Sequence, residues 1–173
     1  MQTVATKKIV MTALFMALTM IATMFIRISL PFGYVNLGDV FVLLSVFILG
    51  PLYGTIAAGI GSGLADLFGY AAYAPGTIII KSAMALVAWL IYKLLLSATH
   101  KRTFAEIAGG IVGAILMAFG YFIYEILFFT TPAVAIVNAP WNLLQGGIGI
   151  VLSVIVMRVL TNTKTLEKLN LDN

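Results

Sequence analysis

The feature that most constrains this chain is a near-continuous series of long apolar runs, interrupted only by short polar or Gly- and Pro-containing stretches. A helix needs about 20 such residues to cross a bilayer, so six helices would take about 120, which is most of a 173-residue chain. Hydrophobic residues form 62% of the sequence and charged residues 9%. A soluble domain of this size could not bury so much apolar surface. The sequence therefore predicts an integral membrane protein, and it excludes a cytosolic enzyme and a secreted disulfide scaffold.

The positions of these runs predict one all-α domain over residues 1–173, a compact bundle of six transmembrane helices. Gly, Pro, Asn and Asp mark loops at residues 27–39 and 69–76, and an irregular apolar connection is predicted at 130–140. The second run is short for a membrane span unless residues 34–39 belong to it. The predicted helices cover residues 8–27, 40–49, 53–68, 77–96, 104–128 and 141–160.

Positive charges are distributed unevenly over the predicted bundle. Eight of the ten Lys and Arg residues fall on one side when six helices are drawn. Because cytoplasmic loops carry an excess of Lys and Arg, this side is predicted to be cytoplasmic, and both termini lie there. The eight residues are Lys7, Lys8, Lys93, Lys101, Arg102, Arg158, Lys164 and Lys168.

The polar residues within the apolar part of the sequence gather near one depth, at the outer end of the predicted bundle. Charges in a bilayer are costly, about 2.5–3.5 kcal/mol each on insertion scales, and they persist when they pair, line a wet cavity or bind a ligand. We therefore predict a polar pocket that opens to the outside, with aromatic rings that could stack on a flat ligand. The predicted substrate-binding residues are Tyr34, Asn36, Tyr73, Lys81, Tyr121, Glu125, Trp141, Asn142 and Gln145.

A second interpretation of the same residues needs no ligand. The charged groups could pair with one another, for example Lys81 with Asp66 or Arg27 with Glu125. The Tyr and Trp residues could serve only as an anchoring belt at the membrane interface. Both interpretations place polar groups at this depth, and the sequence leaves the choice between them open.

Motifs for catalysis and metal binding are absent from the sequence. With no Cys and with His100 as its only His, the chain is not expected to form a zinc site of the usual type. The segment that ends in Lys81 and Ser82 has Ile80 where a phosphate-binding loop needs Gly before its Lys. We therefore predict that this chain is not an enzyme and that it binds no cofactor, metal or nucleic acid.

Small residues recur at four-residue spacing, which allows helices to approach closely in a membrane. Pairs such as Gly59/Gly63 are expected to pack inside the bundle. Ala13 and Ala17 lie in a first helix that carries no other packing signal. This pair is the best candidate for a contact with a partner helix.

Four motifs give the chain a resemblance to a known family. These are NLGD at 36–39, LGPLYG at 49–54, the GxxxG that leads to Ala-Asp at 59–66, and YAPGTIIIKS at 73–82. The stretch 34–91 resembles the substrate-binding S components of energy-coupling factor (ECF) vitamin transporters, and the likeness extends over nearly the whole chain. The last of these motifs is most similar to the hydroxymethylpyrimidine and pyridoxine group, with riboflavin-type sequences nearby.

The resemblance implies a six-helix bundle that captures a vitamin at its outer end, in a prokaryotic plasma membrane. It also implies docking through Ala13 and Ala17 onto a transmembrane coupling protein that is driven by two cytoplasmic ATPase subunits. Residues 27–39 would form the lid of the pocket. The S component would then topple in the membrane and release its ligand inside the cell.

Three classes of function remain open at the level of sequence. A capture subunit would bind its ligand alone but transport it only with its partners. A self-contained secondary carrier would transport alone, although the absence of a clear repeat and of charges at the midplane speaks against it. A membrane scaffold protein would bind no ligand. A membrane-embedded enzyme is less consistent with the sequence than any of these, because no nucleophile–base or metal constellation is present.

Overall fold

The structure of the chain is a computed structural model, which describes residues 4–30 and 33–169. Its long helices are α1 (Val4–Phe25), α2 (Gly38–Gly69), α3 (Ala74–Thr99), α4 (Arg102–Phe128) and α5 (Pro132–Asn162), and a short α6 (Thr165–Leu169) follows. Within the described residues, five helices are long and apolar enough to cross a membrane. The prediction of a helical membrane protein is therefore confirmed.

The predicted second and third helices form one 32-residue element, α2, with a break inside it. Gly50 has φ 81° and ψ −175°, a conformation that is essentially restricted to glycine. Pro51 then begins the next segment, where its missing N–H costs nothing. A hydrogen bond of 3.0 Å from Ser45 Oγ to the carbonyl of Gly54 shows that the chain reverses direction here. In a straight helix, residues that are nine positions apart would be separated by about 13.5 Å.

Both ends of α2 consequently lie at the same end of the bundle. Asp39 in its first turn pairs with Lys81 of α3, and Asp66 near its last turn accepts a hydrogen bond from Thr77 of α3. Thr77 and Lys81 are one helical turn apart, so the two carboxyl groups are neighbours despite their separation in the sequence. This end of the bundle holds the polar residues, and Gly50 lies at the opposite end.

A β-hairpin was not predicted in the 27–39 loop. Strands β1 (Arg27–Leu30) and β2 (Gly33–Asn36) pair antiparallel, with Arg27 opposite Asn36. Pro31 and Phe32, which also belong to the predicted lid, lie outside the described residues. The hairpin satisfies its own backbone hydrogen bonds, so a short connection at the membrane surface can be ordered rather than irregular.

The predicted connection at 130–140 is wrong, because α5 begins at Pro132 and continues through Pro140. Pro140 suggested a helix boundary, since proline removes one N–H bond and crowds the preceding turn. Transmembrane helices tolerate proline where neighbouring groups compensate for that loss. The other predicted loop, 69–76, is shorter than expected, because α3 begins at Ala74.

Small residues set the spacing between helices inside the bundle. A Cβ atom added at Gly59 or Gly63 would meet Ser82 or Ile78 of α3, and one added at Gly109 would meet the backbone of α3. These glycines therefore pack internally, as predicted. Ala13 and Ala17, by contrast, are exposed on the outer face of α1.

Candidate functional site

A cavity of about 430 Å³ opens at the end of the bundle where the hairpin, the end of α2, the turn before α3, the end of α4 and the first half of α5 meet. Its volume lies within the range that is common for small-molecule sites. Aromatic rings, amides and two carboxyl groups line it. The lining residues are Tyr34, Asn36, Asp66, Tyr70, Tyr73, Tyr121, Glu125, Phe129, Thr130, Val134, Asn138, Trp141, Asn142 and Gln145.

The structure brings together eight of the nine residues that were predicted to bind substrate. They come from the hairpin, the turn before α3, the last turns of α4 and the first half of α5. Only Lys81 does not line the cavity, although it lies one turn below Thr77 on α3. Its side chain is 5% exposed and is fully engaged with other protein groups.

Asp66 anchors the wall of the cavity that lies between the hairpin and α3. One carboxylate oxygen accepts a hydrogen bond from the Tyr34 hydroxyl, and the other accepts one from Thr77 Oγ1 at 2.5 Å. Thr77 Oγ1 also lies 3.0 Å from the Tyr121 hydroxyl. Because Thr77 gives its proton to Asp66, Tyr121 is the donor in that contact. The oxygens of Tyr34 and Tyr121 can therefore still accept hydrogen bonds from a ligand.

Glu125 forms the opposite wall, near the end of α4. The residue is 5% exposed, and one carboxylate oxygen accepts a hydrogen bond from Asn138 Nδ2 at 2.9 Å. Asn138 reaches this position because α5 begins at Pro132, earlier than the start at residue 141 that the sequence predicts. The carbonyl oxygen of Asn138 and the second carboxylate oxygen of Glu125 have no hydrogen bond within the described residues.

A second polar cluster adjoins the cavity, with Asn36 and Gln145 in the lining and Lys81 and Asp39 outside it. Lys81 forms an ion pair with Asp39, and its ammonium also contacts Met117 Sδ at 2.7 Å. Gln145 Nε2 donates to the other oxygen of Asp39 at 2.8 Å. Gln145 Oε1 accepts bonds from the backbone N–H and the side-chain amide of Asn36, each at 3.0 Å. This network joins α2, α3 and α5 to the hairpin.

These contacts correct the two ion pairs that were considered from the sequence. Lys81 pairs with Asp39 rather than with Asp66, because the reversal of α2 places its first turn against α3. Arg27 pairs with neither Glu125 nor another carboxylate in the described residues. Its guanidinium lies over the rings of Tyr34 and Tyr70, 5.5 and 5.9 Å from their centroids, in cation–π contacts.

Several of the rings at the cavity already stack on one another. Tyr34 and Tyr70 are 5.0 Å apart with an interplanar angle of 28°, and Tyr73 stacks on Phe129 at 4.4 Å and 9°. Trp141 makes no ring contact within the described residues and is 43% exposed. Trp141 is therefore the ring most available to a flat ligand.

Tyr34 and Tyr73 keep their protons at physiological pH. Burial raises the pKa of Tyr73 to about 12, and the nearby Glu125 adds to this shift. Burial, together with the charge of Asp66, also raises the pKa of Tyr34 above its ordinary value. Each hydroxyl is accordingly a neutral donor in the working range of the protein.

Asn142 and Trp141 retain free hydrogen-bonding groups. Neither side chain has a hydrogen-bond partner within residues 4–30 and 33–169. The amide of Asn142 offers both a donor and an acceptor, and the Trp141 indole offers a donor. Among the described residues, no group of three or more His, Asp or Glu side chains could hold a metal ion.

Sequence reasoning did not select six of the residues that line the cavity. Asp66, Tyr70 and Asn138 carried a usable signal, since each is polar or aromatic at the same predicted depth as the selected residues. The apolar or weakly polar residues carried none, because nothing distinguishes them from lipid-facing neighbours. These are Phe129, Thr130 and Val134.

One comparison with known proteins shows the family of this chain, and two others show similar proteins. A family model described as the S component of an ECF-type riboflavin transporter matches residues 3–162. A solved structure of the S component of a bacterial ECF transporter has a TM-score of 0.73, covers 91% of this chain and 96% of that chain, and is 22% identical. At that identity it shows a shared fold. An uncharacterised protein of Pyrococcus woesei is 36% identical over 104 residues, or 58% of this chain, and the match spans 66% of that relative.

Proposed function

The chain belongs to the family of ECF-type riboflavin transporter S components, and from this premise we propose that it is the substrate-capture subunit of an ATP-driven vitamin importer. The protein is a multi-pass membrane protein, with five described helices that are long and apolar enough to span a bilayer. ATP hydrolysis would occur on separate subunits rather than on this chain. The ligand would be bound at the extracellular end and delivered to the cytoplasm.

The observation that carries this proposal is a cavity whose polar groups are not consumed by internal pairing. Asn142, Trp141 and one oxygen of Glu125 remain available, whereas a structural cluster would satisfy its own members. Groups that line a cavity and have no protein partner gain hydrogen bonds only from a ligand or from water. A membrane scaffold would have no need to hold them there.

The chemistry of the lining favours an uncharged or cationic aza-aromatic ligand that is rich in hydrogen-bond donors. The lining contains two carboxyl groups, from Asp66 and Glu125, and no Lys or Arg within the described residues. Acceptors outnumber donors, because the Tyr34 and Tyr121 hydroxyls already donate to protein groups. Hydroxymethylpyrimidine or pyridoxine fits this description, and riboflavin is the next candidate.

The test is to express the chain alone, identify by mass spectrometry any small molecule that copurifies, and titrate the emptied protein with these three compounds. Binding can be followed through tryptophan fluorescence, because the two tryptophans are separated along the bundle. Trp141 lines the cavity, whereas Trp89 packs half-buried in α3 outside it. A ligand in the cavity should change the emission of Trp89→Phe but not that of Trp141→Phe. If no vitamin copurifies or binds, the capture function is wrong.

We also propose that the chain crosses the membrane six times, with both termini in the cytoplasm and α2 crossing as two antiparallel segments. Both ends of α2 lie at the cavity end, and Lys7 Nζ lies 3.5 Å from the carbonyl of Leu169 at the other end. Most of the Lys and Arg residues would then be cytoplasmic, as the positive-inside rule requires.

The absence of Cys makes this topology easy to test with a membrane-impermeant maleimide. Ala72 and Ala98 are both exposed and lie at opposite ends of α3 and its preceding turn. Ala72→Cys should react in intact cells, and Ala98→Cys should react only after permeabilisation. The reverse pattern would invert the orientation.

For docking, we propose that Ala13 and Ala17 form the contact with a transmembrane coupling protein that two ATPase subunits drive. Both residues are exposed on α1, and small side chains allow close approach of a second helix. Ala17→Leu should abolish uptake by the complete transporter and leave ligand affinity unchanged. Ala98→Leu, on an exposed site of α3, is the matched control. Loss of affinity in the α1 variant would contradict this assignment.

A further inference from the structure

A second polar cavity, of about 320 Å³, lies at the end of the bundle opposite the first. It sits between the first turn of α4 and the last turns of α5, and Arg102, Thr103, Glu106, Arg158 and Asn162 contribute polar groups to it. No residue of this cavity was predicted to bind substrate, and the capture function uses none of them. This cavity lies at the level of the lipid headgroups, because α4 begins and α5 ends there.

Glu106 fixes one of the two arginines in this cavity. The residue is 2% exposed, and its carboxylate accepts a hydrogen bond from Arg102 Nε at 3.0 Å. Because only Nε is used, the terminal nitrogens of the guanidinium remain free to donate. A buried carboxylate thus holds Arg102 through Nε and leaves its terminal nitrogens without a hydrogen bond in the described residues.

Arg158 is the second arginine, and no carboxylate lies within ion-pair distance of it in the described residues. The residue is exposed on α5. Two guanidinium groups against one carboxylate leave the cavity with a net positive charge. Planar guanidinium groups bind phosphate oxygens in a two-pronged geometry, which lysine cannot reproduce.

The start of α4 adds to this positive field. The N-cap residue, Lys101, makes no side-chain capping hydrogen bond, so the first N–H groups of the helix lack a partner from that side chain. Unpaired amides and the helix dipole favour an anion at such a position. The arginine pair and the cavity supply two further features of the site besides this helix end.

We propose that this cavity binds the phosphate group of an anionic lipid or of a soluble phosphate compound. The flanks of the cavity favour the lipid. Phe104, Ile155 and Val159 are 52%, 52% and 55% exposed on α4 and α5, within about a turn of the two arginines. Such a surface accommodates acyl chains beside a headgroup that a basic pocket holds.

The test measures retention of phosphatidylglycerol against phosphatidylcholine by the full chain, using native mass spectrometry. The wild type should retain phosphatidylglycerol in roughly tenfold preference, and Arg102→Gln/Arg158→Gln should lose that preference. The matched control, Lys93→Gln/Lys168→Gln, removes the same charge from exposed positions outside the cavity and should keep most of the preference for phosphatidylglycerol. If both double variants lose the preference for phosphatidylglycerol equally, the preference depends only on the overall charge of the protein, and the proposal is wrong.

A second arm separates the two sources of phosphate. If inorganic phosphate raises the thermal unfolding midpoint of the wild type but not of Arg158→Gln, while no lipid preference is seen, the site takes a soluble phosphate compound. If neither phosphatidylglycerol nor phosphate discriminates wild type from the arginine variants, the proposal is wrong. Loss of Arg102 leaves Glu106 unpaired and can unfold the protein. The single variant Arg158→Gln keeps the Arg102–Glu106 pair, so it tests the site even if the double variant does not fold.

Discussion

Two layers of polar side chains lie about one helical turn apart at the same end of the bundle, and they differ in how their hydrogen bonds are satisfied. In the lower layer, Lys81, Asp39 and Gln145 bind one another and hold Asn36. In the upper layer, groups on Asn142, Trp141 and Glu125 remain unpaired within the described residues. Helix α5 contributes side chains to both layers.

Polarity at one depth of a membrane protein therefore predicts which side chains are close together but not what each of them does. Gln145 and Asn142 are amides three residues apart on α5, yet only Gln145 is fully engaged by protein groups. A satisfied network rigidifies the fold, whereas an unsatisfied one is completed by a ligand. The variants below test whether the two layers can be separated in this way.

The largest expected effect is on stability, from Lys81→Met. This change leaves the Asp39 carboxylate buried without its counter-ion, which typically costs about 3–5 kcal/mol. Thermal unfolding in detergent should show a large drop in the midpoint. The double variant Lys81→Met/Asp39→Asn should recover most of it, because it removes both charges. A Lys81 variant with normal stability and weakened ligand binding would instead place Lys81 in the upper layer.

The next effect is on affinity, from Glu125→Gln. A hydrogen bond to a charged group contributes about 1.5–3 kcal/mol, so affinity for a donor-rich ligand should fall by about 10- to 100-fold. Titration calorimetry measures this directly. Glu167→Gln, the same change at an exposed site in α6, should leave affinity unchanged. Unaltered affinity in the Glu125 variant for every compound that binds the wild type would remove this carboxylate from the site.

A closer comparison uses the two amides on α5. Gln145→Ala should lower stability by about 1–3 kcal/mol, because Asp39 and Asn36 lose buried hydrogen bonds. Asn142→Ala should leave stability nearly unchanged and weaken ligand binding by about fivefold, the effect of one neutral hydrogen bond. Measuring both quantities for both variants separates the layers. If the two variants behave alike, the division into layers is wrong.

The smallest effect is expected from pH. Since burial raises the pKa of Tyr73 to about 12, ligand affinity should stay constant between about pH 7 and pH 9. Above the ordinary tyrosine pKa of about 10 the unfolded chain loses its proton first, so stability should decline as pH rises through 10–12. Titration at three pH values and unfolding at high pH test both points. A fall in affinity below pH 9 that parallels tyrosinate absorbance would contradict them.

Much of the candidate site could be predicted from sequence because membrane depth is a one-dimensional property. Counting residues from each helix end placed Glu125, Asn142 and Trp141 at one level, and the structure brings them together. The partner of Lys81 could not be predicted in this way. Depth alone does not determine which helices face each other. Asp66 and Asp39 were therefore equally possible partners of Lys81.

The amino-acid sequence was sufficient to predict that this chain is helical, lies in a membrane and has its polar residues at one end. Apolar runs and their lengths follow from the cost of exposing peptide groups to lipid. The packing of the helices against one another determined that α2 reverses at Gly50, that α5 continues through Pro140, and that Lys81 forms an ion pair with Asp39. Each of these outcomes depends on which groups from other helices are present to complete a hydrogen bond or fill a space. That information is absent from the local sequence.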